Sequence, residues 1–123
     1  MKIVFDLDDT LCVTDPNVSY FMRIPKRDMI KKLREYKKQG AYIIIATGRQ
    51  MRTYEGNIGK INANTLPVII DWLKKHDVPY DEIYVGKPWE GSDGFRVCDK
   101  TIRPREFREL TYMEIMRLLQ RDK

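Results

Sequence analysis

Cysteine is scarce in this chain of 123 residues. Cys12 and Cys98 are the only two, too few for a disulfide framework, and both are expected to be small buried thiols rather than reactive groups. Long hydrophobic runs are lacking as well. The longest strongly apolar stretch, Ala41 to Ala46, falls far short of the roughly 20 residues that span a bilayer. Asp6, Asp8 and Asp9 stand where a secretory leader needs an apolar core. A cytoplasmic protein with no membrane partner is therefore expected. The single histidine, His76, precedes a turn at a helix end, where a cation is favourable, so it is given no catalytic role. There is no internal repeat and no low-complexity segment.

What is present is the composition of a folded domain: 42% hydrophobic and 33% charged residues. The length suits one compact domain spanning residues 1–123. Against 18 acidic side chains stand 23 Lys and Arg, an excess of +5. A charge of that size fits nucleic acid, a phosphorylated small molecule or a plain solvated surface, and the last is the simplest reading.

Strands and helices alternate along the chain. Lys2 to Phe5 is a short β-prone run that ends abruptly in Asp6-Leu-Asp-Asp-Thr10. After a polar, proline-containing stretch from Thr14 to Lys26, Met29, Ile30, Leu33 and Tyr36 recur at helical spacing over Arg27 to Lys38, and Gly40 stops the helix. Ala41 to Ala46 reads as a strand of a parallel sheet covered on both faces, and it ends at Thr47-Gly-Arg49. From Gln50 to Thr65 the chain is polar and contains Gly56 and Gly59, an excursion with some helix rather than a core element. Pro67 then opens a helix whose apolar face is Leu66, Ile69, Ile70 and Leu73. Glu82 to Gly86 is a third strand running into Lys87, and Phe95 to Cys98 is expected as a fourth, ending at Asp99. Thr111 and Glu114 form a capping box for a closing helix with Tyr112, Ile115, Met116 and Leu119 inside.

This alternation predicts an α/β fold with a parallel central sheet, in which ligands bind beyond the carboxyl ends of the strands. Asp6, Asp8, Thr47, Lys87 and Asp99 are all expected at such ends. Asp6 and Asp8, one residue apart, crowd two negative charges that something positive must offset. A divalent cation such as Mg²⁺ takes oxygen ligands of this kind, with Asp99 as the far carboxylate. With the metal and Lys87 in place, a phosphate can enter, and Thr47 and backbone N–H groups after Asp6 can hold its oxygens. A carboxylate can then serve as nucleophile through an aspartyl-phosphate, while its neighbour protonates the leaving alkoxide and later deprotonates water.

The string Val4-Phe-Asp6-Leu-Asp8-Asp-Thr10-Leu11 resembles the first motif of the haloacid dehalogenase superfamily of phosphatases. Ile43-Ile-Ile-Ala-Thr47-Gly-Arg49, Val85-Gly-Lys87-Pro88 and Val97-Cys-Asp99 resemble its second, third and fourth motifs, in order. The resemblance spans essentially the whole chain. It implies a three-layer α/β/α Rossmann-like fold with no separate cap domain. It makes Asp6 the nucleophile and a Mg²⁺ ligand, and Asp8 the acid/base that coordinates metal through its backbone carbonyl. Thr47 and Lys87 would bind the phosphate, and Asp99 would be a metal ligand. Many relatives carry two adjacent acidic residues at the fourth motif where this chain has Cys98 and Asp99, a departure that bears on how Lys87 is oriented. Met51-Arg-Thr-Tyr-Glu-Gly56, Gly59-Lys-Ile-Asn62, Gly86-Lys-Pro-Trp89, Asp93-Gly-Phe95 and Ile102-Arg-Pro104 are similar to a small group named for capsular polysaccharide biosynthesis, which points to phosphorylated sugars or related metabolites.

The rest of such a substrate is expected to meet Gly48, Arg49, Arg52, Lys60 and Arg103, and each of these can equally be ordinary loop surface. Trp89 is placed to stack on a sugar or base, although a partly buried aromatic is the commoner case. An uncapped site of this type excludes water by oligomerising or by docking a bulky substrate, and a homo-oligomer is favoured. Three other functions share these residues: a phosphoacceptor module, a nucleic-acid terminal phosphatase and a phosphate-binding protein without turnover.

Overall fold

A computed structural model describes residues 1–122. Three parallel strands, β1 (Lys2–Phe5), β2 (Tyr42–Ala46) and β3 (Glu82–Tyr84), lie in the order β1-β2-β3. Five helices follow the chain: α1 (Arg27–Lys38), α2 (Ile58–Asn64), α3 (Leu66–Lys75), α4 (Pro104–Glu109) and α5 (Tyr112–Leu119). The fold is α/β with a parallel sheet. The chain divides into two compact units, Met1–Trp89 and Glu90–Lys123. Among the described residues no helix is long and apolar enough to cross a membrane.

In the first unit, register fixes which strand residues share a face. Lys2 pairs with Tyr42 and Phe5 with Ile45, while Ile45 pairs with Ile83. Side chains alternate across a strand, so Phe5, Ile43 and Ile45 point one way and are buried. On the opposite face Val4 and Tyr84 remain 62% and 55% exposed. Burial therefore alternates along β2, and its wholly apolar sequence overstates how much of it is covered. α1 has the predicted bounds and buries Met29, Ile30, Leu33 and Tyr36. In α3 the buried residues are Ile69, Trp72 and Leu73, while Ile70 faces out. Ile69, Trp72 and Leu73 are the i, i+3, i+4 stripe of the helix, and the buried Trp72 indole N–H donates to the Arg23 carbonyl at 2.8 Å.

The sheet's amino-terminal end is pinned by Asp81. Its carboxylate accepts from Lys37 Nζ at 2.7 and 2.8 Å and from the Ile43 N–H at 2.8 Å, joining α1, β2 and the start of β3. These two donors, Lys37 first, hold the Asp81 carboxyl below its ordinary value.

The second unit corrects one expectation. Phe95 to Cys98 forms no strand, and Phe95 and Val97 are 83% and 89% exposed. β-propensity is a fit to a pleated, half-buried surface, and a short run with no paired neighbour has none. The Thr111–Glu114 capping box is present: Glu114 N–H donates to Thr111 Oγ1 at 3.2 Å and Thr111 N–H to Glu114 Oε1 at 2.9 Å. Its helix is narrower inside than the periodicity implies, since only Ile115 is buried while Tyr112, Met113 and Met116 are exposed. α4 was not expected from sequence; Pro104 in its first turn and the Glu106 carboxylate accepting from the Arg103 N–H at 2.7 Å are the signals that mark it.

Candidate active site

Each strand of the first unit delivers a polar residue at its carboxyl end. Asp6 directly follows β1, Thr47 directly follows β2, and Lys87 stands three residues beyond β3. Strand pairing is continued by backbone bonds from Thr47 N–H to Tyr84 O at 2.9 Å and from Lys87 N–H to Thr47 O at 3.1 Å. The loops after β2 and β3 consequently run close together. A Cβ on Gly48 would lie 2.8 Å from the Lys87 carbonyl oxygen, so this approach requires glycine. Lys87 Nζ sits 3.4 Å from Asp6 Oδ2, with both side chains partly exposed. Thr47 is buried, and its Oγ1 accepts from the Arg49 N–H at 3.1 Å, which leaves the hydroxyl proton for another acceptor.

Asp8 turns out to be the most heavily engaged carboxylate. Arg49 grips it in a fork, Nε to Oδ2 at 3.1 Å and one terminal nitrogen to Oδ1 at 2.8 Å. Arg23 adds a second cation on Oδ1 at 3.3 Å. Both guanidinium groups lie over the Tyr20 ring, 4.4 Å from its centroid for Arg49 and 4.5 Å for Arg23. Burial pushes the Asp8 carboxyl up, but the Arg49 hydrogen bonds and charge, with help from Cys12 and Arg23, bring it below its ordinary value. The same surroundings act oppositely on Cys12. Burial and the neighbouring Asp8 charge raise this thiol to about 12, so it stays neutral, as expected for a small buried side chain.

The expected crowding of Asp6 and Asp8 is thus relieved by different cations, Lys87 for one and the two arginines for the other. The expected cradle of N–H groups after Asp6 is largely committed. Leu7 donates to Asp6 Oδ1, Asp9 to Cys12 O, and Thr10, Leu11 and Cys12 to Leu7 O. This loop caps itself before it can serve a ligand. Arg49 is buried with its guanidinium turned to Asp8, and Arg23 and Tyr20, at the short 3-10 turn Tyr20–Met22, were not anticipated at all.

Arg52 and Lys60 are exposed. The Arg52 guanidinium lies 5.6 Å from the Trp89 ring centroid, and Trp89 is 47% exposed. Lys60 donates its backbone N–H to the Asn57 cap of α2 at 3.1 Å. Burial, then Lys75 and Arg27, lowers the His76 pKa, so its imidazole is disfavoured as the helix-end cation expected from sequence. Asp99 and Arg103 belong to the second unit, Asp99 in a turn rather than at a strand end and Arg103 capping α4. Cys98 is exposed, contrary to expectation, and its thiol is lowered by a Thr101 hydrogen bond and by the Lys100 N–H at 3.4 Å. Among the described residues, no group of three or more His, Cys, Asp or Glu is gathered to hold a metal ion.

No match was found among curated proteins. Among solved structures, a structural-genomics target from Vibrio cholerae is similar over 99% of this chain and 98% of its own, at 52% identity and a TM-score of 0.94. A chain of a Pnkp1/Rnl/Hen1 complex shares the fold at 22% identity and a TM-score of 0.52, over 88% of this chain and 34% of that one. The model of one family, the haloacid dehalogenase-like hydrolases, matches residues 3–80 and so takes in β1, β2, the Thr47 turn and all the residues that bind Asp8. The chain belongs to the haloacid dehalogenase-like hydrolase family.

Proposed function

We propose that the protein is a Mg²⁺-dependent phosphomonoester hydrolase whose nucleophile is Asp6, acting on a phosphorylated sugar or related small metabolite. The observation that carries this reading is the pairing of a half-exposed Asp6 with Lys87 at 3.4 Å, with Lys87 also bonded through its backbone N–H to the carbonyl of the buried Thr47. A nucleophile, a cation and a hydroxyl donor converge on the carboxyl ends of three parallel strands. Asp6 is accessible and accepts a bond from its own neighbour's N–H at 2.8 Å, which orients the carboxylate while leaving Oδ2 facing Lys87.

The donor set fits a hard divalent ion. Asp6 supplies a carboxylate oxygen, and the Asp8 carboxylate is occupied by arginine, so Asp8 would contribute its backbone carbonyl instead. A bound Mg²⁺ would offset charge on the phosphoryl oxygens. Asp6 attacks phosphorus, the P–O bond to the leaving group breaks, and an aspartyl-phosphate forms. Lys87 and the Thr47 hydroxyl hold the phosphoryl oxygens in both steps. Asp8 carries the proton, giving it to the departing oxygen and then taking one from the water that hydrolyses the acyl phosphate. The two arginines favour its ionised form, which suits the second step and weakens Asp8 as the acid of the first, so a good leaving group such as an aryl oxide asks least of it there. Gly48, Arg49, Arg52 and Lys60 would serve the substrate, Arg49 through Asp8 and Arg52 together with Trp89.

The test is a screen of phosphorylated sugars, nucleotides, short 3′- and 5′-phosphorylated oligonucleotides and a generic aryl phosphate, with and without Mg²⁺. Release of phosphate from a small metabolite only when Mg²⁺ is present supports the reading. Stable phosphorylation of the protein without turnover contradicts it.

A further inference from the structure

Arg23 comes to Asp8 from a polar stretch that carries no motif. Its side chain is only 9% exposed, and burying a guanidinium costs several kcal/mol unless its partner geometry is good. Arg49 already meets both carboxylate oxygens, so Asp8 does not need a second cation merely to be neutralised. What Arg23 adds is direction. It approaches the same Oδ1 from a different chain segment, so the carboxylate cannot turn without breaking a bond to one of the arginines.

Arg23 is itself held from behind. Its carbonyl accepts from Trp72 Nε1 at 2.8 Å, and Trp72 is 1% exposed in the middle of α3. The Tyr20–Met22 turn packs against α3, while the Tyr20 ring lies under both guanidinium groups. Through these contacts a core tryptophan is linked to an active-site carboxylate.

We infer that Arg23 is a positioning residue that aims the Asp8 carboxylate at the reacting centre, and that Trp72 sets Arg23 in place. The inference rests on Asp8 as the proton carrier of the proposed reaction. Arg23 and Trp72 are both buried, so their loss should appear in kcat and leave KM nearly unchanged. A displacement of about 1 Å in a reacting group can cost on the order of 100-fold in rate.

The experiment measures kcat and KM for aryl phosphate hydrolysis with Mg²⁺ in wild type, Asp8→Asn, Arg23→Ala, Arg23→Lys and Trp72→Phe, with thermal unfolding of each. Arg23→Ala is expected to lose on the order of 100-fold in kcat at nearly constant KM, and added guanidinium ion should restore part of it. Arg23→Lys, which keeps the charge without the planar guanidinium, and Trp72→Phe, which removes the N–H together with part of the ring, should each lose less, and their double variant should lose less than the product of the two. If Arg23→Ala does not fold, those two variants carry the test. Wild-type kcat in folded Arg23→Lys and Trp72→Phe beside an inactive Asp8→Asn overturns this inference alone. A wild-type protein without Mg²⁺-dependent hydrolysis, or a fully active Asp8→Asn, overturns the functional reading beneath it.

Discussion

The first unit buries Ile43, Ile45, Ile69, Leu73 and Trp72 to 1% exposure or less, whereas the apolar run of the second unit leaves Phe95 and Val97 more than four-fifths in solvent. Similar β-branched and aromatic residues meet opposite fates because β2 has a strand on each side and the later run has none. The difference governs function as well as packing. Residues carried on strand ends, Asp6, Thr47 and Lys87, acquire definite partners and distances. Asp99 and Arg103 belong to a segment organised by helix caps and turns.

Substitutions in the core break this comparison most directly. Ile43→Ala should cost about 3 kcal/mol, in the range for large-to-small changes in a packed core, while Val97→Ala should stay within about 0.5 kcal/mol; equilibrium unfolding in urea separates the two. A similar loss from both would contradict the exposure of Val97. Arg49→Ala is expected to come next. Removing a 3%-exposed guanidinium from its fork leaves Asp8 without its main partner, at a cost of about 3 kcal/mol by analogy with other buried pairs. The same variant should lose most phosphatase activity.

Much of the first unit was legible in the sequence because its signals are local. α1 follows from four apolar residues at helical spacing and a glycine stop, and its bounds agree to the residue. An apolar run ending in Asp6 or Thr47 announces a strand end with no knowledge of what lies opposite. The grip on Asp8 was not legible, since Arg23 is separated from it by 15 residues and Arg49 by 41. Nothing in a polar loop distinguishes an arginine that turns inward, although the aromatic Tyr20 and Phe21 beside Arg23 hint that the segment is docked. The fourth strand failed for the complementary reason: propensity describes a residue, and pairing requires a neighbour.

Smaller effects sharpen the contrast through pH and thiol chemistry. The Asp81 carboxyl is lowered by Lys37 and the Ile43 N–H. Its contribution to stability is therefore complete above the unfolded aspartate value of about 3.9 and is lost as pH falls through the lower folded value. Asp81→Asn should flatten the acid limb of a stability-against-pH curve, and an unchanged limb would remove Asp81 as a pin between α1 and the sheet. The two cysteines should differ in rate rather than stability. Cys98, exposed and lowered, should react with a maleimide well before Cys12, which is buried and raised to about 12. Equal labelling rates in the native protein would mean that the Asp8 cluster opens readily.

In the proposed Mg²⁺-dependent reaction Asp6 attacks phosphorus. Steady-state hydrolysis of an aryl phosphate by wild type and Asp6→Asn, with Mg²⁺ and with excess chelator, tests it in one measurement. The expected result is turnover in wild type with Mg²⁺ alone and none in Asp6→Asn under either condition. Undiminished turnover by a folded Asp6→Asn variant would contradict it.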